Sequence, residues 1–250
     1  MSGSLTRGAI VSAFFRSFLI QGSWNYHTML GSGFAFAMVP GLKKLHGSDP
    51  QRMDEALQRH LEHFNAHPYL CGVALGAALR LEADGADPET VRRFKLAVRG
   101  PLGSLGDALV WAAWLPGVSV LALTLYWLGL PGFWAAVVFL AVYNAGHVGL
   151  RLWGFRIGLR EGRMVGRRLE QADLARWTAR LKGVVSVLLG LLVGAILAGN
   201  GGLAASGLLW VLLSASAFLA GLLIGHRAWR PAAATVVTAI GILAALGALT

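Results

Sequence analysis

The stretch ALVWAAWLPGVSVLALTLYWLGLPGFWAAVVFLAVYNAGHVGL, residues 108–150, decides the fold. It contains no Asp, Glu, Lys or Arg, and Gly129-Leu130-Pro131-Gly132 interrupts it near the middle. A helix that spans a bilayer needs about 20 mainly apolar residues, so this run is predicted to form two spans joined by a tight turn. Residues 183–226 repeat the pattern, split by Gly199-Asn200-Gly201-Gly202, and Pro231 to Thr250 is just long enough for a fifth span. Only 14% of the 250 residues are charged and the mean hydropathy is +0.60. Soluble globular chains usually carry about 25% charge, so that class is excluded.

The net charge of +10 has a topological reading. Residues 151–182 hold Arg151, Arg156, Arg160, Arg163, Arg167, Arg168, Arg176, Arg180 and Lys182 against Glu161, Glu170 and Asp173. Basic residues gathered between apolar runs mark a cytoplasmic loop, and no nucleic-acid partner is needed to explain them. The start MSGSLTRGAI lacks the pattern of a cleavable leader. One cysteine, Cys71, leaves no internal disulfide to form and reads as packing.

The first hundred residues are of another kind. Residues 17–42 are uncharged, yet Gln21, Trp24, Asn25, Tyr26 and His27 sit at their centre, which lipid would not tolerate. This segment is predicted to be amphipathic or re-entrant, with its polar groups facing protein or a watery cavity. Ser48-Asp49-Pro50 opens a helix running towards Asn65, and Asp87-Pro88-Glu89 opens another. In the latter, Val91, Phe94 and Val98 lie to one side and Arg92, Arg93, Lys95 and Arg99 to the other, as in a cationic helix at the cytoplasmic interface.

Three polar features are candidates for chemistry. His60, His63 and His67 have the spacing of one helix face and could bind zinc, but Pro68 disfavours helix at His67 and the one acid among them, Glu62, points off that face. No metal site is expected. The end of that helix, with Asn65 and His67, suits either polar ligand contacts or capping. Gly100 to Asp107, GPLGSLGD, is predicted to break a helix as it enters the membrane, leaving Asp107 either facing a cavity or capping the next helix. Gly154, Gly158, Gly162 and Gly166 recur every four residues, a ridge for close helix packing. No P-loop or GxGxxG pattern is present, and no cofactor is expected. Asn144 is read as a helix–helix hydrogen bond or part of a polar pathway, and His147 lies near it.

Four blocks together carry a family resemblance: FFRSFLIQGSWNYHTMLGSGFAFAMVPGLKKLHG (14–47), RHLEHFNAHPYLCGVALGAALRLE (59–82), FKLAVRGPLGSLGDALVW (94–111) and YNAGHVGLRLWGFRIGLREGRMVG (143–166). In order and character they resemble the IID membrane subunit of the mannose/fructose/sorbose family of the bacterial sugar phosphotransferase system. The resemblance implies an all-α integral membrane protein of the bacterial inner membrane. Its expected layout is an amphipathic and re-entrant region over 1–100, a Gly-rich broken helix, membrane hairpin and basic segment over 101–182, and transmembrane helices over 183–250, with about five spans in all.

It also implies partners: a IIC membrane subunit in an oligomer of heterodimers, cytoplasmic IIA and IIB phosphocarriers, membrane lipid, and a hexose-type sugar as substrate. No phosphoryl-carrying residue of its own is implied, so the histidines are not read as phosphorylation sites. The expected substrate-binding residues are Gln21, Trp24, Asn25, Asn65, His67 and Asp107, with Tyr69 near them. The alternatives are an orphan regulatory or assembly protein, or a metal-ion transporter using the histidine row.

Overall fold

A computed structural model of the chain describes residues 4–199. Among these, secondary structure is helical, with two isolated β-bridges. The predicted hairpin over 183–226 lies mostly, and the fifth span wholly, outside the described residues. Internal contacts divide the chain into two units, one of Met1–Val118 with Val137–Lys182, the other Ser119–Ala136 with residues from Gly183 onward.

In the first unit, α1 (Arg7–Arg16) starts at Thr6, whose hydroxyl accepts from the Ala9 amide at 3.3 Å, and runs into a 3₁₀ turn, Ser17–Leu19. A loop then leads to α2 (Gly31–His46). Residues 17–42 are therefore a turn, a loop and a helix rather than one continuous segment. Pro40 sits inside α2, where it cannot donate to the carbonyl of Phe36 four residues earlier. Arg16 Nη1 donates to that carbonyl instead, at 3.3 Å.

Helices α3 (Pro50–Leu61) and α5 (Pro88–Gly106) begin as the sequence predicts, each with an Asp cap and Pro in the first turn. Asp49 accepts from the Arg52 amide at 3.1 Å and Asp87 from the Thr90 amide at 2.9 Å. Helix α3 stops short of Asn65 because Phe64 leaves the helix to pair with the 21–30 loop. Between α3 and α5 lies α4 (Cys71–Ala83), nearly every residue of which is buried. Phe34, Met38 and Leu42 of α2, Leu75 and Leu79 of α4, and Leu102 of α5 form the centre of the core, all fully buried.

Two expectations are corrected here. The apolar face of α5, Val91 and Phe94, packs into this core rather than lying on a membrane interface, and Lys95 is buried with them. Its ammonium reaches the Arg59 carbonyl, so a long side chain read as solvent-facing is satisfied inside. Nor does the chain break at Gly100 to Asp107: α5 continues through Gly100, Pro101 and Gly103. The irregularity comes next, as a π-helical stretch, Asp107–Trp114, closed by a hydrogen bond from the Leu115 amide to the Val110 carbonyl. Such wide turns redirect side chains without ending the helix, and they concentrate at functional sites.

Helix α6 (Leu115–Trp127) and α7 (Gly132–Glu161) follow. Within the second unit, the predicted tight turn is present. Gly129, at φ +99°, turns the chain, and the Leu130 amide donates back to the Leu125 carbonyl at 3.0 Å. The continuous helical stretches Pro88–Trp127 and Gly132–Gly190 are both long and apolar enough to cross a membrane. Large apolar side chains such as Leu123, Phe133 and Leu140 are exposed along them.

Residues 151–182 are not a loop. Helix α7 carries the first arginines, a 3₁₀ turn at Gly162–Met164 follows, then α8 (Val165–Ala172) and the start of α9 (Leu174–Gly199). The glycine ridge finds its partner inside the chain. A Cβ on Gly158 would overlap the Val73 carbonyl of α4, and one on Gly76 of α4 would overlap the Phe155 carbonyl of α7. Gly72 and Gly154 complete this reciprocal seam. Gly162, at a φ of +54°, ends the helix, and a Cβ there would meet only the Arg80 side chain of α4 at 3.2 Å; Gly166 faces open space.

Candidate functional site

The segment 62–70, between α3 and α4, organises the polar residues. Glu62 is extended, and Phe64 then lies alongside the 21–30 loop: its amide donates to the Thr28 carbonyl at 3.1 Å and its carbonyl accepts from the Leu30 amide at 2.8 Å. Within the loop, Asn25 and Met29 exchange backbone hydrogen bonds of 3.4 and 2.8 Å. The Asn25 side chain is spent on this turn. Its Oδ1 accepts from the amides of His27 and Thr28 at 3.0 and 2.9 Å, and its Nδ2 donates to the Thr28 hydroxyl at 2.8 Å. An Asn that clamps its own backbone is a typical turn former. Gln21 and Trp24 are exposed beside it, with the indole edge-on to Tyr26 at 4.8 Å between centroids.

Asn65, one residue past the bridge, is exposed, and His67 two residues on is buried. His67 Nδ1 accepts from the Tyr69 amide at 3.2 Å, which places the proton on Nε2. That Nε2–H is buried with no hydrogen-bond partner among the described residues. The imidazole lies 5.3 Å from the Trp111 ring of the π-helical stretch. Asp107, exposed, opens that stretch. The structure thus draws the six expected residues into two groups: Gln21, Trp24, Asn25 and Asn65 around the Met29–Phe64 bridge, and His67 against the segment begun by Asp107. The 62–70 connector carries both.

Beyond His67 an aromatic and cationic cluster extends into α7. Tyr69 stacks on His147 with centroids 3.9 Å apart and its hydroxyl meets that of Tyr143 at 2.8 Å. Arg151, only 3% exposed, donates from Nε to His147 Nε2 at 2.7 Å and from Nη1 to the Ser17 carbonyl at 2.7 Å. Its guanidinium also lies over the rings of Phe18 and Tyr69. No carboxylate pairs with it among the described residues. Sequence reading missed Arg151 and Tyr143, although an arginine that ends a 43-residue charge-free run, residues 108–150, one turn past a histidine, was a usable signal.

The other two histidines are accounted for elsewhere. His63 meets Arg99 at 3.0 Å. His60 donates from Nε2 to Glu82 Oε1 at 2.9 Å, and Arg59 grips both oxygens of that carboxylate at 2.7 Å. His46 reaches Oε2 at 3.2 Å. Burial would raise the Glu82 carboxyl, but the hydrogen bonds from His60 and Arg59 outweigh it and hold the group well below the usual carboxylate range. Burial lowers His60 to about 4, so it stays neutral while Arg59 supplies the balancing charge. No cluster of three or more metal-ligating side chains occurs among the described residues.

This is a helical protein with membrane-length apolar helices and a buried, partly unsatisfied polar cluster at a π-helical turn. Residues 4–206 match the family described as PTS system mannose/fructose/sorbose family IID component, and the chain belongs to that family. It is 32% identical over 163 residues to the mannose-specific EIID component of Escherichia coli K12, covering 63% of this chain and 57% of that relative. It is 33% identical over 165 residues to the sorbose-specific EIID component of Klebsiella pneumoniae, covering 63% and 58%.

The chain therefore spans less than two thirds of the length of these relatives. Among solved structures it resembles a chain of the mannose transporter ManYZ in complex with microcin E492, with a TM-score of 0.60, 29% identity and 77% and 71% of the two chains covered. A second neighbour, described only as a membrane protein, has a TM-score of 0.68 at 25% identity with 96% of each chain covered.

Proposed function

We propose that this chain is the IID-type subunit of a sugar phosphotransferase permease. With a IIC subunit it forms the path by which a hexose-type sugar enters the cell while a IIB phosphocarrier phosphorylates it. It works as a multi-pass protein of the bacterial inner membrane, with about five spans, residues 151–182 on the cytoplasmic side, and an oligomer of heterodimers as the working unit. The phosphoryl group is carried by IIA and IIB, and this chain shapes the passage.

The observation that carries the reading is His67: a buried Nε2–H without a partner, set against a π-helical turn, in a chain of the IID family. An unpaired buried donor is costly and is retained where a ligand completes it. In this reading His67 donates to a sugar oxygen as the sugar passes. The Asp107 carboxylate and the amides of Gln21 and Asn65 bind hydroxyls, and Trp24 offers an aromatic face to the apolar side of the ring. Asn25 contributes by holding the loop that presents Gln21 and Trp24.

The test is phosphoenolpyruvate-dependent uptake and phosphorylation of a panel of hexoses in cells that lack their own IID subunit, supplied with this chain and its IIC, IIA and IIB partners. Asp107→Ala is expected to lower uptake by about tenfold to a hundredfold, the worth of a charged hydrogen bond. His67→Asn is expected to cost about tenfold, because a shorter side chain still accepts from the Tyr69 amide but cannot present the outer donor. Both variants should still co-purify with the IIC subunit. Normal uptake by both would remove the site assignment, and no phosphorylation of any hexose by the wild-type assembly would remove the permease reading.

A further inference from the structure

A second feature of the first unit is apolar in character. Between the π-helical stretch, α7 and the start of α9 lies an apolar slot of about 410 Å³, lined by Leu109, Trp114, Gly149, Trp153 and Trp177, with Tyr69 and His147 at one wall. Along that wall the polar atoms are engaged: the Tyr69 hydroxyl with Tyr143, Trp114 Nε1 with the Tyr143 carbonyl at 3.4 Å, and His147 Nε2 with Arg151. A sugar would find only the indole N–H groups at the edge to bind its hydroxyls, too few for its many polar groups, whereas a hydrocarbon chain loses nothing in the apolar interior.

The slot lies within the membrane-length helical stretches and is bordered by Trp153 and Trp177, whose indole N–H groups have no partner among the described residues. Trp177 is 55% exposed, and the guanidinium of Arg180 lies 5.3 Å over its ring. The neighbouring acid, Asp173, pairs with Arg176 at 3.0 Å, and no carboxylate pairs with Arg180 among the described residues. An apolar slot, indoles at its edge and an uncompensated cation beside them match the three parts of an anionic lipid: acyl chain, ester level and phosphate.

We propose that this slot holds one acyl chain of an anionic phospholipid, with Arg180 meeting the headgroup phosphate and the indoles of Trp153 and Trp177 meeting the ester groups. The occupant is lipid rather than a helix of a second protein because the charge at the mouth is a lone exposed arginine of the kind that anionic headgroups neutralise. Occupancy is independent of sugar uptake and is read without it, so a failed transport assay leaves this inference standing.

The test is native mass spectrometry of the full-length chain, purified with whatever membrane subunit accompanies it, from micelles doped with phosphatidylglycerol and phosphatidylcholine of matched chains. The wild type is expected to retain one phosphatidylglycerol per chain, with about fivefold preference over phosphatidylcholine, as one basic side chain near a headgroup provides. Arg180→Gln should bring that preference close to one. Gly149→Leu should abolish retention of either lipid, since a Cβ there meets nothing within 4 Å and the new side chain fills the slot without strain.

Gly166→Leu, at an equally open position outside the slot, should change nothing. Equal retention of the two lipids by the wild type, or unchanged retention by Gly149→Leu, overturns the proposal. It is also overturned if Gly149→Leu releases an accompanying subunit while lipid stays bound, or if glycerol 3-phosphate alone displaces the lipid, since the site would then be a protein interface or a bare anion site.

Discussion

Two buried polar clusters stand within the same unit, and they are finished differently. Around Glu82, each carboxylate oxygen has two partners: His60 and Arg59 on one, Arg59 and His46 on the other. Lys95 closes the group by donating to the Arg59 carbonyl. Around Tyr69, the cation Arg151 has ring faces, an imidazole and a backbone carbonyl but, among the described residues, no carboxylate, and His67 has a donor without a partner there. The ionic network ties α2, α3, α4 and α5 together; a buried cation without a carboxylate and a buried donor left unused are features that a ligand can complete. Each cluster leaves one imidazole nitrogen without a partner among the described residues, the acceptor His60 Nδ1 in the first and the donor His67 Nε2 in the second, so what separates the two places is charge: a carboxylate answers the cations around Glu82, and none answers Arg151 among the described residues.

The contrast is most easily broken at Glu82. Glu82→Ala leaves Arg59 buried without its partner, and removal of one member of a buried pair costs about 3–5 kcal/mol. A large fall in the unfolding midpoint of the detergent-solubilised chain is expected, together with loss of folded material from membranes. The double variant Glu82→Ala with Arg59→Leu should recover part of the loss, because the stranded charge is gone. If Glu82→Ala unfolds like the wild type, the network is not the structural hub described above.

The same cluster predicts a pH dependence. His60 is lowered from 6.5 to about 4 by burial. Between those values the unfolded chain binds a proton that the folded chain refuses, so stability falls as pH falls, by about 3 kcal/mol across the window. Glu82, held low by its partners, adds loss in the same direction below the ordinary carboxylate range. His60→Gln keeps an N–H for Glu82 but does not titrate, and should flatten the decline between pH 6.5 and 4.5. An unchanged slope in that variant would assign the decline to other groups.

Much of this was legible in the sequence, and the rest failed for identifiable reasons. The turn at Gly129 and the two Asp-Pro helix starts are local features that depend on residues a few positions apart, and each is where the sequence puts it; of the four-glycine ridge, Gly154 and Gly158 form the seam and Gly166 does not. The displacement of His67 from the histidine row followed from Pro68 alone. What stayed hidden depends on what packs where. Lys95 reads as solvated until the Arg59 carbonyl comes within its reach, and Gly100 with Pro101 reads as a break although the helix runs on through both. Asn25 reads as a ligand because the sequence does not show that Thr28 and its own loop claim both ends of the amide. The charge-free run pointed to membrane helices, yet it could not show that the helix widens into a π turn at Asp107.

The smallest effects test the ridge, and they differ in sign. Gly158→Ala places a methyl against the Val73 carbonyl and the Ala77 amide of α4, backbone atoms that cannot rotate aside. The helices must part, at a cost of about 1–3 kcal/mol. Gly154→Ala meets the Val73 side chain instead, at 2.9 Å, which can shift, so its cost should be lower. Gly166→Ala meets nothing and lies in a helix, where alanine is favoured over glycine by up to about 1 kcal/mol, so it should be neutral or slightly stabilising. In the bare sequence these glycines are equivalent members of one four-residue repeat. Melting of the three variants in the same detergent, in the order Gly158, Gly154, Gly166 from lowest to highest, would show that the repeat serves as a seam only where α4 faces it. Equal shifts for all three would mean that the seam between α4 and α7 is not what selects glycine.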